Sequence, residues 1–275
     1  MKSKIATLAI LFLIFILAFA IRYETAKYGE LNEFDPFWNY KATSYLVDNG
    51  WTSYKQWQDT DSWYGTDDGI TEAGRNVSAS SQEGLHLTTA FLYNFYDGDL
   101  YTFVILIPAI FGALTVFPMF ILITKLSSAR AGLLGSFFFA VTFSILIRNS
   151  AGWFKSEPLG LLLGLTFLAG LTLLIHQNKI NYKIIIGSFL VGLTMTFAIS
   201  SWIGSVILIL PVLVFGLIIP IFAKESKGLG QIIMMIGASS LIPLLLFERV
   251  VLLLPLSLGI IGLGMYIWFS YKLNK

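Results

Sequence analysis

"IATLAILFLIFILAFAI", residues 5–21, runs for seventeen residues without a charge, directly after Lys2 and Lys4. As an α-helix it would reach about 26 Å, close to the hydrocarbon thickness of a bilayer at about 30 Å. A membrane span is the first reading. A signal peptide cleaved after Ala18-Phe19-Ala20 is the competing one. What decides between them lies downstream, where further apolar runs occur near residues 101–124, 132–147, 158–175, 184–200, 202–222, 229–246 and 250–271. Eight such runs predict an all-α, polytopic membrane protein of about eight transmembrane helices, forming a single module over 1–275. The prolines inside them (Pro108, Pro118, Pro211, Pro243, Pro255) are tolerated in membrane helices.

The composition agrees. Of 275 residues, 56% are hydrophobic and 12% charged, far from the balance of a soluble domain. A net charge of +2 gives no footing for nucleic acid. The absence of cysteine removes disulfide, thiolate and Cys-metal chemistry.

Alternating eight spans puts both termini on one side, together with Lys2, Lys4, Lys125, Arg130, Lys179, Lys183, Lys224, Lys227, Lys272 and Lys275. Ten of eighteen basic residues in short loops make that side cytoplasmic by the positive-inside rule. Fifteen of sixteen acids then fall outside, Glu225 being the exception. Thirteen of them sit in residues 22–100, a long first external loop. Its tryptophans (Trp38, Trp51, Trp57, Trp63) argue against disorder, and short helices on the membrane surface are expected.

Two acidic sites fall on the outer side. "NEFDPFWNYK", residues 32–41, places Asp35 before Pro36 as a helix start. "RNSAGWFKSEPLG", residues 148–160, places Glu157 in a first turn, with Ser156 as N-cap and Pro158 following. Either acid alone complements a helix dipole. Together they could hold a hard divalent cation, which takes oxygen ligands. Such an ion suits a phosphate-bearing substrate, and outside the cell a lipid-linked donor is the natural source.

With these residues in view, the chain resembles oligosaccharyltransferase catalytic subunits of the archaeal and eukaryotic type. "FDPFWNYKATSYLVDNGW" (34–51) resembles their first-loop signature. "WYGTDDGITEAGRNVSASSQEGLHLTTAFLYNF" (63–95) resembles its continuation, with an insertion after Tyr64. "RNSAGWFKSEP" (148–158) is similar to the second acidic motif, and "SSWIGSVILIL" (200–210) to the start of a later span. The resemblance implies a GT-C glycosyltransferase fold that moves an oligosaccharide from a dolichol-type lipid to Asn in Asn-X-Ser/Thr sequons. It implies catalytic roles for Asp35, Glu157 and Arg148, with Asp35 and Glu157 as ligands of Mn2+ or Mg2+. Trp38, Asn39, Tyr40, Lys41, Trp63, Arg75 and Lys155 are then substrate-binding candidates. The expected partners are the lipid-linked donor, a sequon-bearing polypeptide and membrane lipid.

Two departures from the family pattern matter. The second motif usually reads acid-x-acid, whereas here it reads Lys155-Ser156-Glu157. Lys155 then supplies positive charge itself, or the site binds its ligand without catalysing. The further spans, a later catalytic glutamate and the soluble Trp-Trp-Asp-Tyr-Gly domain implied by the resemblance are not among these residues. A separate chain supplying the downstream domain is therefore an expected partner. A non-catalytic lipid-carrier or subunit-binding paralogue is the alternative reading. A transporter is disfavoured because the helix interiors read as free of buried charge. His86 is expected at the membrane interface, and Asn76-Val77-Ser78 is itself a sequon.

Overall fold

The computed structural model describes residues 2–61, 74–175, 180–222, 227–247 and 250–273. In chain order, α1 (Lys2–Tyr23) is followed by a 3-10 turn and α2 (Phe34–Gln56). Two-residue strands β1 (Gln58–Asp59) and β2 (Arg75–Asn76) pair antiparallel. Then come α3 (Val77–Ser80), α4 (Glu83–Tyr93), α5 (Leu100–Leu114), α6 (Val116–Leu126), α7 (Ala129–Val141) and α8 (Phe143–Ile147). The last stretch holds α9 (Ser156–Ile175), α10 (Tyr182–Ser201), α11 (Val206–Phe222), α12 (Lys227–Ser240) and α13 (Val250–Leu273).

Six helical stretches among the described residues are long and apolar enough to cross a membrane: Lys4–Tyr28, Leu100–Leu126, Ser156–Ile175, Tyr182–Ser201, Gly228–Leu245 and Leu253–Ser270. The other two expected spans are shorter apolar helices, Ala129–Val141 and Ile203–Ile218. The 132–147 run is thus divided. Extended backbone at Thr142 (φ −65°, ψ 120°) ends α7, and α8 is a separate short turn. Each of the eight runs is helical over most of its length, as a bilayer requires of backbone that cannot bond to water.

The two larger of four apolar clusters among the described residues do much of the packing. Phe167, Met195, Ile209, Ile236, Leu253 and Ile267 join α9 to α13. Leu85, Val104, Phe111, Phe154 and Leu159 join α4, α5 and the start of α9 to the loop before it. Many lipid-side residues stay exposed, among them Leu8, Phe138, Ile186 and Phe215. Among these helices apolar packing competes with equally apolar lipid, so close approach through small residues matters. Gly160 on α9 is such a place: a Cβ there would fall 2.2 Å from the Trp202 Cβ. Ser205 Oγ donates to the Gly160 carbonyl at 3.1 Å, so the α10–α11 turn rests on the start of α9.

One helix end carries an unexpected charge. Arg22, at the end of α1, is fully buried and donates from Nη1 to the carbonyls of Ala18 (2.9 Å) and Ala140 (3.0 Å). Arg22, expected in the external loop, lies instead in the last turn of α1. Arg22 closes the last turn of α1 and ties it to α7, giving two carbonyls a donor away from water.

Candidate functional site

The site lies at the end of the bundle where α1 finishes and α2 and α9 begin. Its second half is the loop 148–155, and backbone bonds place it. Ala151 N–H donates to Arg22 O, Gly152 N–H to Ile105 O, and Asn32 N–H to Gly152 O. Gly152 adopts φ 83°, and a Cβ there would lie 2.5 Å from Glu30 O. Only glycine satisfies both the left-handed backbone and that approach. The two motifs are thereby laid against each other before any side chain acts.

The first motif enters through α2. Glu33, not Asp35, is the N-cap residue, and it makes no side-chain cap. Asp35 and Pro36 lie in the first turn, where proline costs nothing because that N–H has no helical acceptor. Asp35 is 68% exposed. Likewise Ser156 is the first residue of α9 rather than its N-cap.

Lys155 joins the two motifs. Its ammonium lies 2.7 Å from Glu33 Oε2 and 2.8 Å from Asp35 Oδ2, over the Trp153 ring at 5.0 Å, and is 14% exposed. Burial pushes the Lys155 pKa down, but hydrogen bonds to Asp35 and Glu33 and the charges of Asp35 and Glu157 outweigh it, so the net shift is upward. Glu157 turns elsewhere: Oε1 accepts from Arg148 Nη1 at 2.9 Å. Arg148 also lies over Trp153, at 5.2 Å. Trp153 therefore meets both cations.

Beside Lys155 opens a polar cavity of about 180 Å3, lined by Asp35, Trp38, Asn39, Arg75, Ser80, Ser81, Gln82, Lys155 and Ser156. Arg75 lies over the Trp38 ring at 4.4 Å and donates to Ser80 Oγ (2.6 Å) and Ser80 O (2.8 Å). Of the candidates, this gathers Asp35, Trp38, Asn39, Arg75 and Lys155. Glu157 and Arg148 pair just outside the lining. Tyr40 packs edge-on against Tyr101. Lys41 reaches Asp59 (2.7 Å) and Asp61 (3.3 Å). Burial lowers the Lys41 pKa, and the bonds to Asp59 and Asp61 more than reverse it. Trp63 lies outside the described residues.

Several site residues were not anticipated. Asp59 is 1% exposed and also accepts from Trp38 Nε1 (3.3 Å). His86 is fully buried rather than interfacial. Asn39 Nδ2 donates to Phe154 O at 3.0 Å, which leaves Asn39 Oδ1 to accept from His86 Nε2 at 3.0 Å. His86 Nδ1 then accepts from the Tyr54 hydroxyl at 2.6 Å, and Tyr54 also meets Ser81 Oγ at 2.9 Å. This chain runs from the second motif through the first to the cavity wall. Asn76 accepts from Ala79 N–H at 2.9 Å and caps α3, a structural use for the sequon asparagine.

A divalent cation can be tested against this donor set. The Asp35 oxygen that would bind it faces an ammonium, and Glu157 faces a guanidinium. Among the described residues no cluster of three or more His, Cys, Asp or Glu side chains forms a metal-binding group. A cation cannot share these oxygens with Lys155 in contact, so the residues present do not fit one.

The architecture matches solved structures. An Archaeoglobus fulgidus oligosaccharyltransferase, AglB, in complex with an inhibitory peptide and a dolichol-phosphate superposes with TM-score 0.77 at 16% identity, over 98% of this chain and 33% of that one. The enzyme from the same organism in complex with Zn and sulfate gives 0.75 at 15% identity, over 96% and 35%. The fold and the polar cavity at the helix ends define a multi-pass membrane protein of the GT-C glycosyltransferase fold. The family model described as "Oligosaccharyl transferase STT3, N-terminal" matches residues 5–269, and the chain belongs to this family. A curated relative, subunit stt-3 of the dolichyl-diphosphooligosaccharide–protein glycosyltransferase of Caenorhabditis elegans, is 27% identical over 82% of this chain. The chain spans 29% of that relative's length.

Proposed function

We propose that this chain is the membrane module of an oligosaccharyltransferase, transferring a dolichol-linked oligosaccharide to Asn in Asn-X-Ser/Thr sequons when joined by a downstream domain. The observation that carries the reading is the meeting of Asp35, Asn39, Arg75 and Lys155 around one cavity at the helix ends. Its support is family membership and the AglB structure determined with an inhibitory peptide and a dolichol-phosphate.

In this reading residues 1–275 form one module, and residues 22–100 lie on its extracytoplasmic face with the cavity. Both termini are cytoplasmic, as the basic loops favour. The exposed Asp35 carboxylate accepts N–H bonds from the acceptor amide. That opposes delocalisation of the nitrogen lone pair and makes the nitrogen a better nucleophile. Lys155 and Arg75 present positive charge to the donor's phosphate, and Trp38 and Asn39 shape the wall. Arg148 holds Glu157 beside them, while Tyr40 and Lys41 act at a distance by holding α2 in place. Mn2+ or Mg2+, implied by the resemblance, takes no step in this proposal because the donor set does not fit it.

One observation favours a second reading, a non-catalytic module that binds the lipid carrier or a partner subunit: the Lys155–Asp35 pair occupies the acid that the acceptor needs. An acceptor-peptide transfer assay separates the two, run with this chain plus a supplied downstream domain. Transfer that Asp35→Asn lowers by about a hundredfold or more supports the enzyme. Binding of dolichyl phosphate without transfer supports the second reading. Transfer unaffected by Asp35→Asn removes the role given to that carboxylate.

A further inference from the structure

We propose that the Lys155 ammonium is the resident cation of this cavity, held in the place a divalent ion would need and keeping such ions out. The inference deepens the function proposed above and rests on it for calling the cavity a ligand site. Three observations carry it. Glu33 and Asp35 both contact the ammonium, at 2.7 and 2.8 Å. The Trp153 ring lies 5.0 Å from it and also meets Arg148, at 5.2 Å. Glu157, the third carboxylate near Lys155, is turned to Arg148 instead.

The charge count explains the exclusion. Glu33, Asp35 and Glu157 bring three negative charges, and Lys155 and Arg148 cancel two. A divalent ion entering here would have to displace a contacting ammonium and face its repulsion. One oxygen of each of these carboxylates is already engaged by Lys155 or Arg148. A tethered ammonium supplies less charge than a divalent ion, but it is never lost to dilution or chelation. Arg75 across the cavity adds a second fixed cation, so an anionic phosphate group meets positive charge from two sides.

The test reads ion binding, not transfer. Mn2+ is titrated against the purified full chain in detergent, with free Mn2+ followed by electron paramagnetic resonance. The wild type is expected to show no saturable binding that depends on Asp35. Lys155→Asp, which restores acid-x-acid, is expected to bind Mn2+ at least about tenfold more tightly, and adding Asp35→Asn to it should abolish the gain. Lys155→Met is the second variant. It removes the charge while keeping an unbranched side chain, and a smaller gain is expected. A wild-type site that saturates with Mn2+ and loses it in Asp35→Asn would overturn the inference. So would folded Lys155→Asp and Lys155→Met proteins that bind no more Mn2+ than the wild type. Neither result depends on glycan transfer, so the proposed enzyme can stand or fall separately.

Discussion

Asp35 Oδ2 lies 2.8 Å from Lys155 Nζ, and this ion pair joins the first turn of α2 to the loop that begins α9. The lysine's pKa is raised above its ordinary 10.5, despite a burial penalty, by its bonds to Asp35 and Glu33. A group whose folded pKa is raised contributes stability that is complete below the unfolded value and lost as pH climbs through the folded one. From neutral pH upward, the difference in apparent melting temperature between wild type and Lys155→Met should therefore be flat to about pH 10 and shrink above it. Thermal unfolding in detergent across that range measures it. Because Glu33 is 46% and Asp35 68% exposed, the difference at neutral pH should correspond to about 1 kcal/mol or less.

Gly152→Ala tests the frame beneath the site. The substitution forces a β-carbon into φ 83° and against Glu30 O, where no flexible side chain can give way. A loss of about 1–3 kcal/mol is expected, read as a lower melting temperature. The loop 148–155 also carries Lys155, so Gly152→Ala should disturb the Lys155–Asp35 pair even though neither residue is changed. Gly29→Ala is the control: it too has positive φ, but no atom lies within 4 Å of its added Cβ, so only the backbone strain should appear.

How far the sequence reaches can be judged residue by residue. Apolar runs were readable because lipid leaves the backbone no option but helix, and each of the eight is helical over most of its length. The two motifs were readable from resemblance, and Asp35, Trp38, Asn39, Arg75 and Lys155 do line one cavity. The partners of those residues were not readable. Glu33 became a ligand of the ammonium, Glu157 turned to Arg148, and Asp59 became the buried partner of Lys41. None of these pairings has a period or a spacing, because each bridges separate loops and is decided by where the backbone brings them. His86 looked interfacial since a lone histidine near a span has no local signal, yet Asn39 and Tyr54 claim both its ring nitrogens. Arg22 follows the same logic: its acceptor on Ala140 is visible only once α1 and α7 pack.

Lys41→Met should cost more than Lys155→Met. Asp59 is almost fully buried, and Lys41 is the cation in contact with it at 2.7 Å. Removing Lys41 takes one contact from the buried Asp59 carboxylate, at about 1–3 kcal/mol, because Lys41 is itself a third exposed and Trp38 Nε1 and the Asp61 N–H still bond to Asp59. Lys41→Met paired with Asp59→Leu should recover part of the loss, because the pair then no longer buries a carboxylate. A double-mutant cycle on apparent melting temperature checks the coupling.

Tyr54→Phe probes the buried chain that reaches the cavity. The Tyr54 hydroxyl donates to His86 Nδ1 at 2.6 Å and meets Ser81 Oγ at 2.9 Å. Losing it leaves the His86 Nδ1 acceptor and the Ser81 hydroxyl donor each short of a bond inside the protein, at about 1–3 kcal/mol. The ring itself remains, so stacking on Trp51 and the apolar fit are kept, and the loss isolates the hydroxyl. His86→Phe should cost more, since Asn39 Oδ1 then loses the donor that orients its amide and its bond to Phe154 O is no longer braced. If the chain positions the first motif against the second, both variants should lower transfer in the reconstituted enzyme by raising KM for the acceptor peptide. Asp35→Asn, which sits where the amide is held, should lower kcat instead. Equal effects on KM and kcat in all three would mean that the network stabilises the fold without placing the site.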